Sequence, residues 1–333
     1  MNGAHRARWV WGAVAGLALV ALAYQALARP HTGPAGLDRL GSPEACERYG
    51  GLPTGFGSQP TAGMVRVRGG RFAPGHPQGP LGERPAAAQA VVAPFWIDRT
   101  EVTNAQFERF TLATGYRTEA ERGAAAVVFR APKEVARGAD PSQWWRVEPG
   151  AHWRQPEGPG SSVQGRMHHP VVHVTLADAQ AYARWLGREL PTEAEWEWAA
   201  RAAGAPEQLE RQPRDAEGRP SANFWQGVFP FMNVQEDGYV DRAPVGCFAA
   251  NGWGLHDMIG NVWEWTADRH PGPHGVGAAR PASAAATHVI KGGSFLCSAD
   301  YCSNYRSSAR HPHEVDLPIA HVGFRTVWRS AQD

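Results

Sequence analysis

Two cysteines in a Cys-x4-Cys spacing, Cys297 and Cys302, are the residues best suited to redox or soft-metal chemistry, and Ser294, Tyr301, Arg306 and Arg310 lie close to them in sequence. Thiolates select soft metals. The spacing alone leaves two other readings, a structural disulfide or a zinc site completed by His311 and His313. Cys46 and Cys247 are far apart and have no motif around them. If bonded, they would close a loop of roughly 200 residues, which constrains the unfolded chain by about 5 kcal/mol in chain-entropy terms. Their types leave pairing and two unrelated thiols equally open. His168, His169 and His173 form no HExxH or other metal spacing and read as structural or groove residues.

The elements that must position these groups are short. The chain has 333 residues, with Lys+Arg 33 against Asp+Glu 32, so its formal net charge is +1. No basic field exists to hold nucleic acid. A hydrophobic fraction of 43% excludes disorder as the main state, and the length fits one large domain or two small ones. Gly 38, Pro 27 and Trp 14 indicate ordered loops anchored by indoles, each with a single N–H to donate. Residues 64–104 show brief apolar alternations broken by Gly and Pro, the pattern of short strands. Thr103-x-x-Gln106, Thr175-x-x-Asp178 and Thr192-x-x-Glu195 each predict a helix start, followed by apolar residues at helical spacing. Gly187 stops the second helix, and the third ends by Gly204. Short strands and long loops then run to residue 330, so the class is α+β.

Arg6 and Arg8 precede an apolar run over residues 9–24, and small residues follow at 26–28. This is the pattern of an export signal over residues 1–28, short of the roughly 20 apolar residues that cross a bilayer comfortably. A cleaved signal is favoured over an anchor formed by residues 9–28. Residues 29–63 are rich in Gly and Pro and read as an irregular linker or wrapping arm, with the folded domain running from 64 to 330. The localisation expected is periplasmic, with or without attachment to the inner membrane, where an oxidising environment favours cysteine pairing.

The order and wording of several segments resemble the formylglycine-generating enzyme, or sulfatase-modifying factor, family of bacterial type. They are EVTNAQFERF from Glu101, LPTEAEWEWAAR from Leu190, NFWQGVFP from Asn223, NGWGLHDMIGNVWEW from Asn251, KGGSFLCSADYCSNYRSSAR from Lys291 and GFRTV from Gly323. The resemblance implies a C-type-lectin-like variant with little regular secondary structure. It further implies oxidation by O2 of a cysteine within Cys-x-Pro-x-Arg of an unfolded sulfatase to formylglycine, with copper(I) held by Cys297 and Cys302. Ser294 and Tyr301 match hydroxyls that line the copper and oxygen pocket, and Trp263 matches an indole there. Arg306, Arg310 and His321 are the implied substrate-binding residues. One calcium site is implied by Asn223 and Asp237 with the carbonyls of Phe224 and Tyr239. A second is implied by Asp257 and Glu264 with the carbonyls of Gly260 and Val262, and Glu101 matches a further calcium-associated position. Mixed carboxylate, amide and carbonyl oxygens suit such a hard cation. The family leans towards monomers.

The chain departs from the family pattern at two places beside the thiols and at one near the end of the domain. Ser298 stands where better-studied relatives have His, Asn304 where they have Arg, and His321 where many have Asn. Ala200, Ser307 and Thr326 occupy positions that form disulfides in eukaryotic members. Two alternatives remain at this stage: a non-catalytic, calcium-stabilised lectin-like binding module with Cys297 and Cys302 merely paired, or a copper oxidase of another thiol.

Overall fold

The computed structural model describes residues 40–85, 89–124, 126–132, 143–204, 212–270 and 286–330. The expected signal and the first part of the arm lie outside these residues. The chain begins with the single-turn helix α1 (Pro43–Cys46) and strands β1 (Met64–Val67), β2 (Gly70–Phe72), β3 (Ala90–Val92) and β4 (Phe95–Asp98). Helix α2 (Asn104–Thr114) and the hairpin β5 (Val127–Phe129) and β6 (Trp145–Val147) follow, then α3 (Leu176–Trp185) and α4 (Glu193–Arg201). The second half holds β7 (Gly227–Val228), β8 (Met232–Asn233), β9 (Trp263–Arg269), β10 (Thr287–Lys291), β11 (Arg310–Glu314), β12 (Val322–Gly323) and β13 (Val327–Trp328).

Two sheets organise this α+β body. One has the order β1-β4-β13, so the end of the chain pairs with its beginning; the other has the order β11-β10-β9-β12. The β12–β9 pairing is parallel, with Val322 opposite Trp263, and it brings His321 beside the start of β9. All three main helices start where their capping pairs predict, with Thr103, Thr175 and Thr192 each closing a full capping box. Such reciprocal caps satisfy N–H groups that a helix start otherwise leaves unpaired.

The loops are pinned by indoles, as the Trp count suggests. Trp198 donates its N–H to the Arg68 carbonyl at 2.8 Å, Trp265 to Val174 at 3.0 Å and Trp225 to Met232 at 3.0 Å. The largest apolar cluster gathers Phe107, Phe110, Trp153, Tyr182, Trp263, Trp265 and Phe324, and Cys297 belongs to it. A separate cluster of Trp144, Trp225, Phe229, Phe295 and Leu296 forms beside the cysteine loop.

Residues 40–63 are irregular apart from α1 and are packed onto the body. Cys46 and Cys247 form a disulfide spanning a sequence separation of 201. Thr103 donates its hydroxyl to the Gly51 carbonyl at 2.6 Å, and Arg188 donates to the carbonyls of Pro60 at 3.0 Å and Ala62 at 2.9 Å. Gly51 is required there: its φ is +80° and an added Cβ would meet the Met167 carbonyl oxygen at 2.6 Å.

Candidate active site

The cysteine loop hangs between β10 and β11. Gly293 precedes it with a φ of +78°, and a Cβ at that position would meet the Asn304 carbonyl oxygen at 2.7 Å. Only glycine lets these two stretches of backbone lie so close. The Cys297 N–H donates to the Ser294 carbonyl at 2.9 Å, closing a turn, and the Cys297 carbonyl accepts from Trp225 N–H at 2.9 Å. Cys297 is thereby locked in the core, while Cys302 is half-buried.

Their sulfurs are 3.6 Å apart and unbonded. The Ser294 backbone N–H faces the Cys297 sulfur at 3.4 Å, and the Asn304 side-chain amide donates to the Cys302 sulfur at 3.0 Å. Burial pushes the Cys297 thiol well up, whereas the hydrogen bond from Cys297 and the Asn304 amide pull Cys302 down. A single proton on the pair therefore rests on Cys297, and Cys302 carries the thiolate character. Among the described residues no group of three or more His, Cys, Asp and Glu converges as a metal cage. The donor set at the loop is thus two thiols, a pairing suited to a soft, low-coordinate ion.

The walls are aromatic. Tyr301 is 47% exposed and stacks on Phe229 with centroids 4.3 Å apart, and Trp144 meets it edge-on at 5.7 Å. Val228 and Met232 of the β7–β8 hairpin extend this apolar rim into solvent. Trp263 is buried in the Cys297 cluster, 5.9 Å from the His311 ring. Ser294 is buried as well, and its hydroxyl accepts from Leu296 N–H at 3.3 Å, so its contact with Cys297 comes from backbone rather than side chain. The His321 ring packs on Trp145 at 4.8 Å, and burial with neighbouring His313 and His311 keeps it neutral.

Arg306 and Arg310, expected to bind substrate, are themselves buried and each is paired with a carboxylate. Arg306 Nε donates to Glu83 at 2.8 Å and its Nη2 to the other oxygen of the same carboxylate. Arg310 grips Glu193 at 2.7 and 2.9 Å. A guanidinium removed from water needs such a bidentate partner, and both found one on a distant segment.

A family model described as a sulfatase-modifying factor enzyme 1-like domain matches residues 51–330. The chain belongs to the sulfatase-modifying factor family. It is 45% identical over 285 residues to a formylglycine-generating enzyme of Thermomonospora curvata, covering 79% of this chain and 92% of that one. A Bos taurus relative named inactive C-alpha-formylglycine-generating enzyme 2 is 38% identical over 282 residues, covering 81% and 89%. Membership of the sulfatase-modifying factor family therefore leaves activity to be argued from the site. The solved structure of PvdO from Pseudomonas aeruginosa superposes with a TM-score of 0.50 at 26% identity, over 79% of this chain and 93% of that one. The fold is the loop-rich α+β fold of the sulfatase-modifying factor family.

The oxygen-rich positions of this family member fall into two groups. In the first, the Phe224 carbonyl and Asp237 Oδ2 converge on one atom, the Gln226 amide nitrogen, which lies 2.7 Å from Asp237. Asp237 Oδ1 accepts from Tyr239 N–H at 3.0 Å, while Asn223 uses its amide N–H₂ on Asp241 and Asn261. Two oxygens aimed at one polar point fit a hard cation. In the second group, Glu264 gives both oxygens to Arg325 at 2.7 Å, and Trp196 donates to one of them at 2.8 Å. Gly246 N–H occupies Asp257 at 2.6 Å, and Glu101 Oε2 is buried without a partner. Glu101, Asp257 and Glu264 thus face a single guanidinium, and burial pushes Glu101 and Asp257 up. Glu264, expected as a ligand at the second group, is thus engaged by the Arg325 guanidinium.

Three residues of the site escaped sequence reasoning: Glu83, Gln226 and Phe229. Glu83 lacks any motif, and Gln226 and Phe229 lie inside a matched segment whose wording does not reveal their roles.

Proposed function

We propose that this chain matures sulfatases by oxidising, with O2, a cysteine in a Cys-x-Pro-x-Arg stretch of the unfolded polypeptide to formylglycine, with copper(I) held by Cys297 and Cys302. The observation that carries the reading is the pair of unbonded sulfurs 3.6 Å apart, one buried and one reaching a half-buried surface beside an exposed aromatic rim. Balance requires one cysteine thiol, O2 and two reducing equivalents from a thiol reductant to give the aldehyde, hydrogen sulfide and water. Copper(I), when bound, supplies a third thiolate position and the means of activating O2.

The protein's own part is positional. Tyr301, Phe229 and Trp144 offer an apolar surface on which an extended peptide can lie and from which water is excluded. Trp225 and the Ser294 turn hold Cys297 rigidly, so the metal's geometry is set before substrate arrives. Calcium at Asn223, Phe224, Asp237 and Tyr239 orders the loop that carries Trp225 and the β7–β8 hairpin. Export to the periplasm, with the substrate met during or just after translocation, is supported by the residue 1–28 pattern and by the Cys46–Cys247 bond. The protein acts as a monomer in this reading.

The test is mass spectrometry of a Cys-x-Pro-x-Arg peptide after aerobic incubation with copper-loaded protein and a thiol reductant. Conversion of the cysteine to an aldehyde, lost in both Cys297→Ser and Cys302→Ser, is expected. A wild type that leaves the peptide unchanged while binding copper tightly would overturn the sulfatase assignment.

A further inference from the structure

The Cys302 backbone is held by its N–H donating to the Ser298 carbonyl at 3.2 Å, and its half-buried sulfur is held from one side. The Asn304 amide nitrogen lies 3.0 Å from it, and the Asn304 carboxamide oxygen accepts from Arg306 Nη2 at 3.4 Å. That second contact fixes which end of the amide faces sulfur, because a guanidinium only donates. Arg306 is itself immobilised by Glu83, whose carboxylate also receives the Ser308 hydroxyl at 3.2 Å. A chain of oriented groups therefore runs from the buried Glu83 through Arg306 and Asn304 to the Cys302 sulfur.

We propose that Asn304 is a positioning residue: its amide, aimed by the Arg306–Glu83 pair, fixes the Cys302 sulfur beside Cys297 in the orientation that a two-thiolate metal site requires. The inference rests on the copper reading above. Partners that orient a metal ligand in this way are worth about 10–100-fold in metal affinity. The rival explanation is that Asn304 only closes the local turn, in which its backbone N–H donates to the Cys302 carbonyl at 2.8 Å. The two differ in outcome, since Asn304→Ala removes the donor to sulfur without adding charge, and Asn304→Asp keeps the volume and the acceptor for Arg306 while turning a charged acceptor towards sulfur.

The experiment measures copper(I) affinity of the full chain by anaerobic competition with a chromophoric copper(I) chelator, alongside melting temperature. Wild type, Asn304→Asp, Asn304→Ala, Arg306→Lys and Cys302→Ser are compared. Asn304→Asp and Asn304→Ala are expected to bind copper(I) about ten-fold or more weakly with an unchanged melting temperature, and Arg306→Lys to fall between them and wild type. Tight binding by wild type with Asn304→Asp within about two-fold of it would overturn the inference and leave the copper reading standing. A wild type that binds no better than Cys302→Ser would overturn the copper reading, and this inference with it.

Discussion

Arg306 and Glu83, 223 residues apart in sequence, form a buried bidentate ion pair directly behind the loop that carries Cys302. Removing one member of such a pair leaves a charge stranded in a medium that solvates it poorly. Glu83→Gln is therefore expected to cost about 3–5 kcal/mol, read as a lowered urea midpoint. An unchanged midpoint would show that water reaches the guanidinium.

The disulfide makes a second prediction. Unfolded protein without reductant should present two titratable thiols, Cys297 and Cys302, and four once reductant is added. Replacing Cys46 and Cys247 together with alanine should lower stability by about 2–5 kcal/mol. The Cys297–Cys302 pair should keep its copper affinity in that variant. Four free thiols in the untreated protein would refute the pairing.

Calcium at the Asn223–Asp237 position should appear as a rise in melting temperature on titration and a fall with a calcium chelator. At a hundredfold excess over Kd the stabilisation is about 2.7 kcal/mol, equivalent to about 4 °C for a chain of this size. Asp237→Ala removes the carboxylate and should abolish the response. A response that survives in Asp237→Ala would place the ion elsewhere.

Acid sensitivity follows from buried histidines. Burial holds His169 and His173 down at about 3 and His313 at about 4. In the unfolded chain each titrates near about 6.5, so the unfolded state binds more protons between these values. Their contribution is complete above about pH 6.5 and is lost progressively as pH falls towards about 3–4. Melting temperature should decline over that window, and His173→Asn should shallow the slope. Asparagine tolerates the positive φ of 57° found at this position. A flat profile down to about pH 4 would mean that water or a counterion already accommodates the protonated rings.

What could be read in the sequence was local. The capping boxes at Thr103, Thr175 and Thr192 are relations between residues three apart, and each one formed. The cysteine pair is also local, and its sulfurs do meet. The fates of Arg306 and Arg310 were hidden because their carboxylates, Glu83 and Glu193, lie 223 and 117 residues away. The Ser294 backbone N–H that faces the Cys297 sulfur was equally hidden, because it depends on how the turn is closed. The pairing of Cys46 with Cys247 depended on the arm folding back onto the body, through contacts such as Thr103 to Gly51 that no spacing encodes.

The chain combines a closed disulfide with a thiol pair left open, and this sets a sorting problem during biogenesis. Four cysteines allow three fully paired connectivities, and only the one that joins Cys46 to Cys247 is compatible with a packed arm. Burial of Cys297 narrows the choice: once the core closes, outside thiols meet Cys302 rather than Cys297. Until then all four sulfurs compete, so yield from an oxidising host should depend on thiol–disulfide quality control. Production in a reducing cytosol should deliver an intact thiol pair on a looser body, which separates catalytic competence from durability by choice of compartment.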